Sequence, residues 1–136
     1  MFSHSTKIRV RYGETDQMGF VYYGNYALYY EVGRVEAIRS LGLTYKSMED
    51  AGIRMPVVKV VSKYLQAARY DDLLTIQTRI FSLPDRFIDF EVELFNQEHM
   101  LIHKGEVTLC FWDVHLNKRI RTPNIIIEKL NPYFED

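Results

Sequence analysis

Between Tyr12 and Tyr26 the chain reads YGETDQMGFVYYGNY, fifteen residues that hold two carboxylates, three glycines and five aromatic rings. Glycines at this density favour tight turns, and Asp is at home among them. An acid set beside aromatic rings is either a solvated turn residue or a reactive group in a partly dry site. Position brings Asp16 forward. Its loop runs directly into a helical pattern that starts at Gly24-Asn25. The first amides of a helix lack intrahelical acceptors and sit at the positive end of its dipole, so negative charge is stabilised there. Asp16, walled by Tyr12, Phe20, Tyr22 and Tyr23, then supplies the parts of an acyl-transfer site: a base or nucleophile, an oxyanion donor and an apolar cover. Glu14 competes for the role. In an extended segment it falls on the same side as Asp16, and spacing does not choose between them.

Other chemistries find less support. The histidines are His4, His99, His103 and His115. His99 and His103 are four apart, but they flank a strand start and have no third ligand at metal-site spacing, so no metal is expected. There is no GxSxG for a serine hydrolase. Cys110 lies in the apolar run TLCFW and reads as a packed side chain. Arg86 in LPDRF, with Arg119 and Arg121 in NKRIRTP, could grip phosphates or could be solvated turn charges.

These groups need a scaffold. Residues 7–12, KIRVRY, alternate as a strand with Ile8, Val10 and Tyr12 on one face. From Asn25 to Leu41 the period changes: Tyr26, Tyr30, Gly33, Ala37 and Leu41 share one helix face, with Asn25 as N-cap and Gly42 as C-terminal stop. Small residues at 33 and 37 allow another backbone to approach closely. A second helical turn runs from Thr44 to Gly52. After Pro56 come strands: 57–70, 73–83 beyond the turn Asp71-Asp72, IDFEVEL with Ile88, Phe90, Val92 and Leu94 inward, and 105–114 after a turn at Asn96–His99. Strands this long with short links pair antiparallel. Pro123 opens a short helix to Leu130. The fold class is α+β: one long helix and a curved antiparallel sheet of about five strands. One helix cannot cover both faces of such a sheet, so a second subunit is expected.

A chain of 136 residues forms one domain that buries roughly two thirds of its unfolded surface. Seventeen basic against eighteen acidic residues, without charge blocks, argue against nucleic acid as a partner. The single cysteine excludes an intrachain disulfide. The first residues lack a signal-peptide core, and no segment reaches the length of a membrane span. A cytoplasmic protein is expected.

The segment VRYGETDQMGFVYYGNYALYYEVGRVEAIRSLG resembles the signature of the hotdog-fold acyl-CoA thioesterases, in particular the 4-hydroxybenzoyl-CoA thioesterase-like family. The resemblance rests on Tyr12, Thr15-Asp16, Gly19, Val21-Tyr22, Asn25-Tyr26 and Glu31, with weaker matches in ARYDDLLTI and RIRTP. It implies a sheet wrapped around the long helix, subunits that pair sheet to sheet as a homodimer or homotetramer, and active sites at the subunit interface. By the same resemblance, Asp16 is the catalytic acid and the Tyr23 main-chain N–H polarises the thioester carbonyl. Tyr12, Val21, Tyr22, Gly24, Asn25 and Tyr26 fall in the substrate-binding segment, and Arg86 and Arg121 lie where relatives hold the CoA nucleotide. It implies hydrolysis of a small to medium acyl-CoA without a cofactor. Where many relatives carry a histidine, this chain has Tyr23, so any imidazole role is absent. Two rivals stand beside this reading. One is a dehydratase or hydratase, whose positioned histidine is missing from the loop. The other is an acyl-thioester (CoA or acyl carrier protein) binding or partner protein with weak hydrolysis.

Overall fold

The structure is a computed structural model that describes residues 1–135. Its elements are β1 (Phe2–Arg9), α1 (Tyr26–Ser40), α2 (Tyr45–Asp50), β2 (Ile53–Arg54), β3 (Val57–Tyr64), β4 (Leu73–Ile80), β5 (Phe87–Phe95), β6 (Leu101–Asp113), β7 (Lys118–Ile120) and α3 (Asn124–Leu130). The five long strands pair antiparallel in the order β1-β4-β5-β6-β3, and the short β2 and β7 add to the far end of β6. The α+β architecture of one long helix and a five-stranded antiparallel sheet is thus as expected.

The sheet curls because α1 touches strands across its whole width. The helix lies against β1, β4 and β5, and Tyr30 reaches on to Gly105 of β6 and Ser62 of β3. The expected helix face, Tyr26, Tyr30, Gly33, Ala37 and Leu41, is buried. It meets Ile88, Phe90, Val92 and Leu94, the inward set of β5, in one core. Two glycines set how closely helix and sheet approach. A Cβ on Gly33 would lie 2.6 Å from Thr78 Oγ1 and 2.7 Å from Ile76 Cγ2; one on Gly105 would lie 2.6 Å from both Cε1 and the hydroxyl of Tyr30. The fold needs these two positions empty.

Several boundaries differ from the sequence expectations. The first strand lies earlier, over Phe2–Arg9, because its register with β4 begins at Phe2↔Ile80 and ends at Arg9↔Leu73. The chain then turns through Tyr12–Glu14 as a short 3-10 segment, so Tyr12 leaves the core face and is 78% exposed. Asn25 is not an N-cap. A 3-10 turn over Tyr23–Asn25 already has helical geometry, and the extended residue ahead of it is Tyr22. The strand expected over 57–70 stops at Tyr64, where the Leu65 and Gln66 amides both donate to the Ile102 carbonyl. The last long strand begins at Leu101 rather than Gly105. Thr44 does cap α2, accepting from the Ser47 amide at 2.9 Å. Gly42 and Gly52 end their helices with φ of +86°, as glycine there allows.

Gly105→Ala should destabilise the fold by about 1–3 kcal/mol, the usual range for overpacking, since the fully buried Tyr30 ring has nowhere to move. Equilibrium urea unfolding measures it, and a midpoint equal to wild type would contradict this view of the helix–sheet contact.

Candidate active site

The loop between β1 and α1 is organised by its own hydrogen bonds. The Asp16 N–H donates to the Phe20 carbonyl at 2.8 Å, and Gly19, at φ +79°, donates back to the Asp16 carbonyl at 3.0 Å. Asp16 Oδ1 accepts from the amides of Met18 (2.9 Å) and Phe20 (3.3 Å). These contacts orient the carboxylate. Its Oδ2 has no hydrogen-bond partner among the described residues, and the side chain is exposed.

The two acids have separate surroundings. Glu14 is buried, 8% exposed, with Oε1 accepting from the Arg11 amide (2.8 Å) and the Tyr29 hydroxyl (3.0 Å), and Oε2 paired with the Arg11 guanidinium at 3.1 Å. Burial alone would raise its pKa, but the Arg11 amide, the guanidinium and the Tyr29 hydroxyl hold it below the ordinary carboxylate range. Its oxygens are occupied in tying the loop to α1. Asp16 is the acid with an oxygen to spare.

Asp16, Phe20, Val21, Tyr23, Tyr26, Tyr64, Leu65, Gln66 and Ala67 line a groove of about 280 Å³. The groove lies where the helical backbone begins. The 3-10 turn moves that point upstream, so the first amides without acceptors among the described residues are those of Tyr23 and Gly24; the Asn25 amide is already bonded to the Tyr22 carbonyl at 2.8 Å. Asn25 instead uses its side chain to hold the loop, Nδ2 donating to the Glu14 carbonyl at 2.8 Å. Burial holds the Tyr26 phenol above its ordinary range, and the nearby charge of Asp16 acts in the same direction.

Of the residues singled out from the sequence, Asp16, Val21, Tyr23 and Tyr26 meet in this groove, as do Phe20 and Tyr64. Tyr12 does not; its ring packs edge-on against Tyr70, 5.6 Å away at the surface. Tyr22 is turned out beside Tyr23 and Gly24. Arg86 and Arg121, with Phe87, Arg119 and Ile120, line a separate cleft of about 390 Å³. Arg119 pairs with Trp112 while Tyr64 pairs with His103, so the two sites are nine residues apart along β6, about 30 Å at ~3.4 Å per residue. Among the described residues no group of three or more His, Cys, Asp or Glu side chains could hold a metal.

Beneath the groove lies a layer that residue spacing did not reveal. His103, fully buried, stacks on Tyr26 with centroids 4.1 Å apart and planes 9° from parallel. Tyr64 is edge-on to both rings, at 5.3 Å from Tyr26 and 4.8 Å from His103, and its hydroxyl donates to the Tyr23 carbonyl at 3.3 Å. The Tyr30 hydroxyl meets His103 Nε2 on one side and Ser62 Oγ on the other. With the strand started at Leu101, His103 alternates with inward Gly105, Val107, Leu109 and Phe111, and that period places it inside.

Burial pushes His103 down to about 4 from 6.5. The imidazole is therefore neutral when folded, whereas the unfolded chain takes up a proton below 6.5. Stability is complete above that pH and falls as pH drops from 6.5 toward 4, by about 3 kcal/mol for this group. Glu14, with a lowered pKa, adds its loss only below about 4.5. Unfolding free energies at pH 7.5 and 5.0 should differ markedly in wild type and much less in His103→Phe; equal slopes would contradict a buried neutral imidazole.

Residues 18–103 match the family model of the Thioesterase superfamily. The chain is 30% identical over 122 residues to the acyl-CoA thioester hydrolase YbgC of Escherichia coli, covering 89% of this chain and 91% of that one. It is also 43% identical over 74 residues to YneP of Bacillus subtilis, a match that covers 54% of either chain. The fold superposes on the crystal structure of a DHNA-CoA thioesterase from Staphylococcus aureus with a TM-score of 0.82 and 32% identity, over 98% of this chain and 85% of that one. With the family's model, a full-length relative and the hotdog architecture in agreement, the chain belongs to the Thioesterase superfamily and is an enzyme of the thioester-hydrolase class.

Proposed function

We propose that residues 1–136 form one thioesterase domain of the 4-hydroxybenzoyl-CoA thioesterase-like group, which hydrolyses a small to medium acyl-CoA to the free acid and CoA. The observation that carries this reading is the meeting, in one groove, of a carboxylate with an unpaired oxygen and a helix start with unpaired amides. The thioester carbonyl oxygen takes the Tyr23 N–H, with the Gly24 amide beside it. Asp16 Oδ2 then activates water, or attacks the carbonyl carbon to give an anhydride that water cleaves. Either route expels the CoA thiolate, which leaves as the thiol after taking a proton. A donor aimed at the developing oxyanion is worth about 3–4 kcal/mol. Phe20, Tyr23, Tyr26 and Tyr64 keep the groove apolar, which strengthens both interactions.

The same reading needs a second subunit. Phosphates gripped by Arg86 and Arg121 lie too far along β6 to belong to a thioester in the groove of the same protomer. The free edge of β3 offers the solution. Val57, Val58, Val60, Val61 and Tyr64 along it are all more than 40% exposed, and among the described residues β3 pairs only with β6. An apolar edge with unpaired amides is a template for another strand. Two copies joined antiparallel through β3 bring the basic end of one sheet to the groove end of the other, two or three strand spacings away, about 10–15 Å. A homodimer, or a tetramer built from it, is the form in which the groove and the arginine cleft serve one substrate. The charged outer face of β5, with Asp89, Glu91 and Glu93, favours this edge-to-edge pairing over stacking of sheet faces.

Asp16→Asn should lower kcat for a good acyl-CoA by at least ~10², while Tyr23→Phe stays near wild type because the donor is main-chain. Free-thiol release from a panel of acyl-CoAs reads both, and full turnover by Asp16→Asn would remove that residue from the mechanism. Arg86→Ala and Arg121→Ala should raise KM more than they lower kcat, the pattern for contacts far from the reacting carbon. KM values unchanged in both variants would leave these arginines as surface charge, of which Arg121 already shares an exposed ion pair with Asp85 at 3.7 Å.

A further inference from the structure

The buried imidazole of His103 takes no direct part in the chemistry proposed above, yet it touches what surrounds the oxyanion donors on two sides. Tyr26, the first residue of α1, lies flat on the imidazole. Tyr64 stands edge-on to the imidazole and holds the Tyr23 carbonyl. Both contacts converge on the turn Tyr23–Asn25, whose leading amides are unpaired.

We propose that His103 is a positioning residue, whose flat ring fixes the Tyr23 amide relative to Asp16 by stacking under Tyr26 and bracing Tyr64. The inference rests on the functional reading above for what the amide does, but not for whether His103 holds it.

The hydrogen bonds indicate which property of histidine matters. Nδ1 is buried with no partner among the described residues, while Nε2 meets the Tyr30 hydroxyl. A buried N–H without an acceptor is costlier than a bare lone pair, so the proton is assigned to Nε2. Nε2 then donates to the Tyr30 oxygen, and Tyr30 donates to Ser62 Oγ, 2.8 Å away. This arrangement keeps the ring in one plane. It leaves half of the imidazole's polar capacity unused, which is a poor use of a histidine selected for hydrogen bonding alone. The ring's neighbours are Tyr26 and Tyr30 from α1, Tyr64 from β3, and Leu94 across on β5. None carries a charge at neutral pH, so shape rather than electrostatics defines the contact.

Three variants separate the possibilities. His103→Phe keeps a flat ring, His103→Asn keeps a polar group without one, and His103→Leu keeps neither. With folded enzyme and an acyl-CoA substrate, His103→Phe should stay within about threefold of wild type in kcat. His103→Leu and His103→Asn should lose about tenfold or more in kcat, with KM within about twofold, because a misplaced donor costs rate rather than binding. Equal kcat in all three would mean a purely structural role and would overturn the proposal. A loss in His103→Phe as large as in His103→Leu would also overturn it, by assigning the effect to the Tyr30 hydrogen bond. Amide hydrogen exchange over residues 22–27 needs no substrate and stands apart from the functional reading: faster exchange in His103→Leu, but not in His103→Phe, supports the proposal, and unchanged exchange in both refutes it. Asp16→Asn runs in parallel. Full activity there would sink the reading of Asp16 while the exchange result still decides the role of His103.

Discussion

The structure depends on one close approach, the ring of Tyr30 laid over the bare Cα of Gly105. Through it β6 comes near enough to α1 for the sheet to curl, and the curl brings β3 and the start of α1 to the same groove. Tyr30 is fully buried, and burial pushes its hydroxyl up to about 12. It therefore remains a protonated hydrogen-bonding phenol, one that spans β3 and β6 through Ser62 and His103. Its neighbour Tyr29 serves the other side, where its hydroxyl takes the loop's buried Glu14. Successive tyrosines on one helix thus anchor the loop and the sheet.

From that anchoring the division of labour between the two acids follows. Glu14 spends its oxygens on Arg11 and Tyr29, which holds the loop against the helix. Asp16, two residues on, is oriented by its own loop's amides and keeps one oxygen free. A carboxylate oriented by main-chain donors needs little reorganisation before reaction, and electrostatic catalysis relies on such preorganisation. The 3-10 turn ahead of α1 acts to the same end. It shifts the unpaired amides from the helix proper to Tyr23 and Gly24, next to the loop that carries Asp16.

Much of the architecture was legible because burial leaves a period in the sequence. Ile88, Phe90, Val92 and Leu94 alternate with acids, and Tyr26, Tyr30, Gly33, Ala37 and Leu41 recur at helical spacing; both sets are buried as read. Where the reading failed, tertiary contacts had replaced local pattern. Tyr12 continues the alternation of the first strand, but the capping contacts of Glu14 with Arg11 turn the chain before it. Asn25 is a good capping residue in type, yet its side chain is taken by a carbonyl eleven residues earlier. His103 was weighed only as a metal ligand because its strand was begun four residues too late, and a histidine at an inward position reads as an exception until its aromatic neighbours are known. The separation of Arg86 and Arg121 from the groove could not be read at all, since it depends on which end of β6 each partner strand meets.

A crystal structure with an acyl-CoA analogue, its thioester replaced by a non-hydrolysable ketone, tests the central claim most directly. The account predicts the ketone oxygen within hydrogen-bonding distance of the Tyr23 main-chain nitrogen and the carbonyl carbon facing the unengaged oxygen of Asp16. A carbonyl held elsewhere, with both groups still facing solvent, would contradict it.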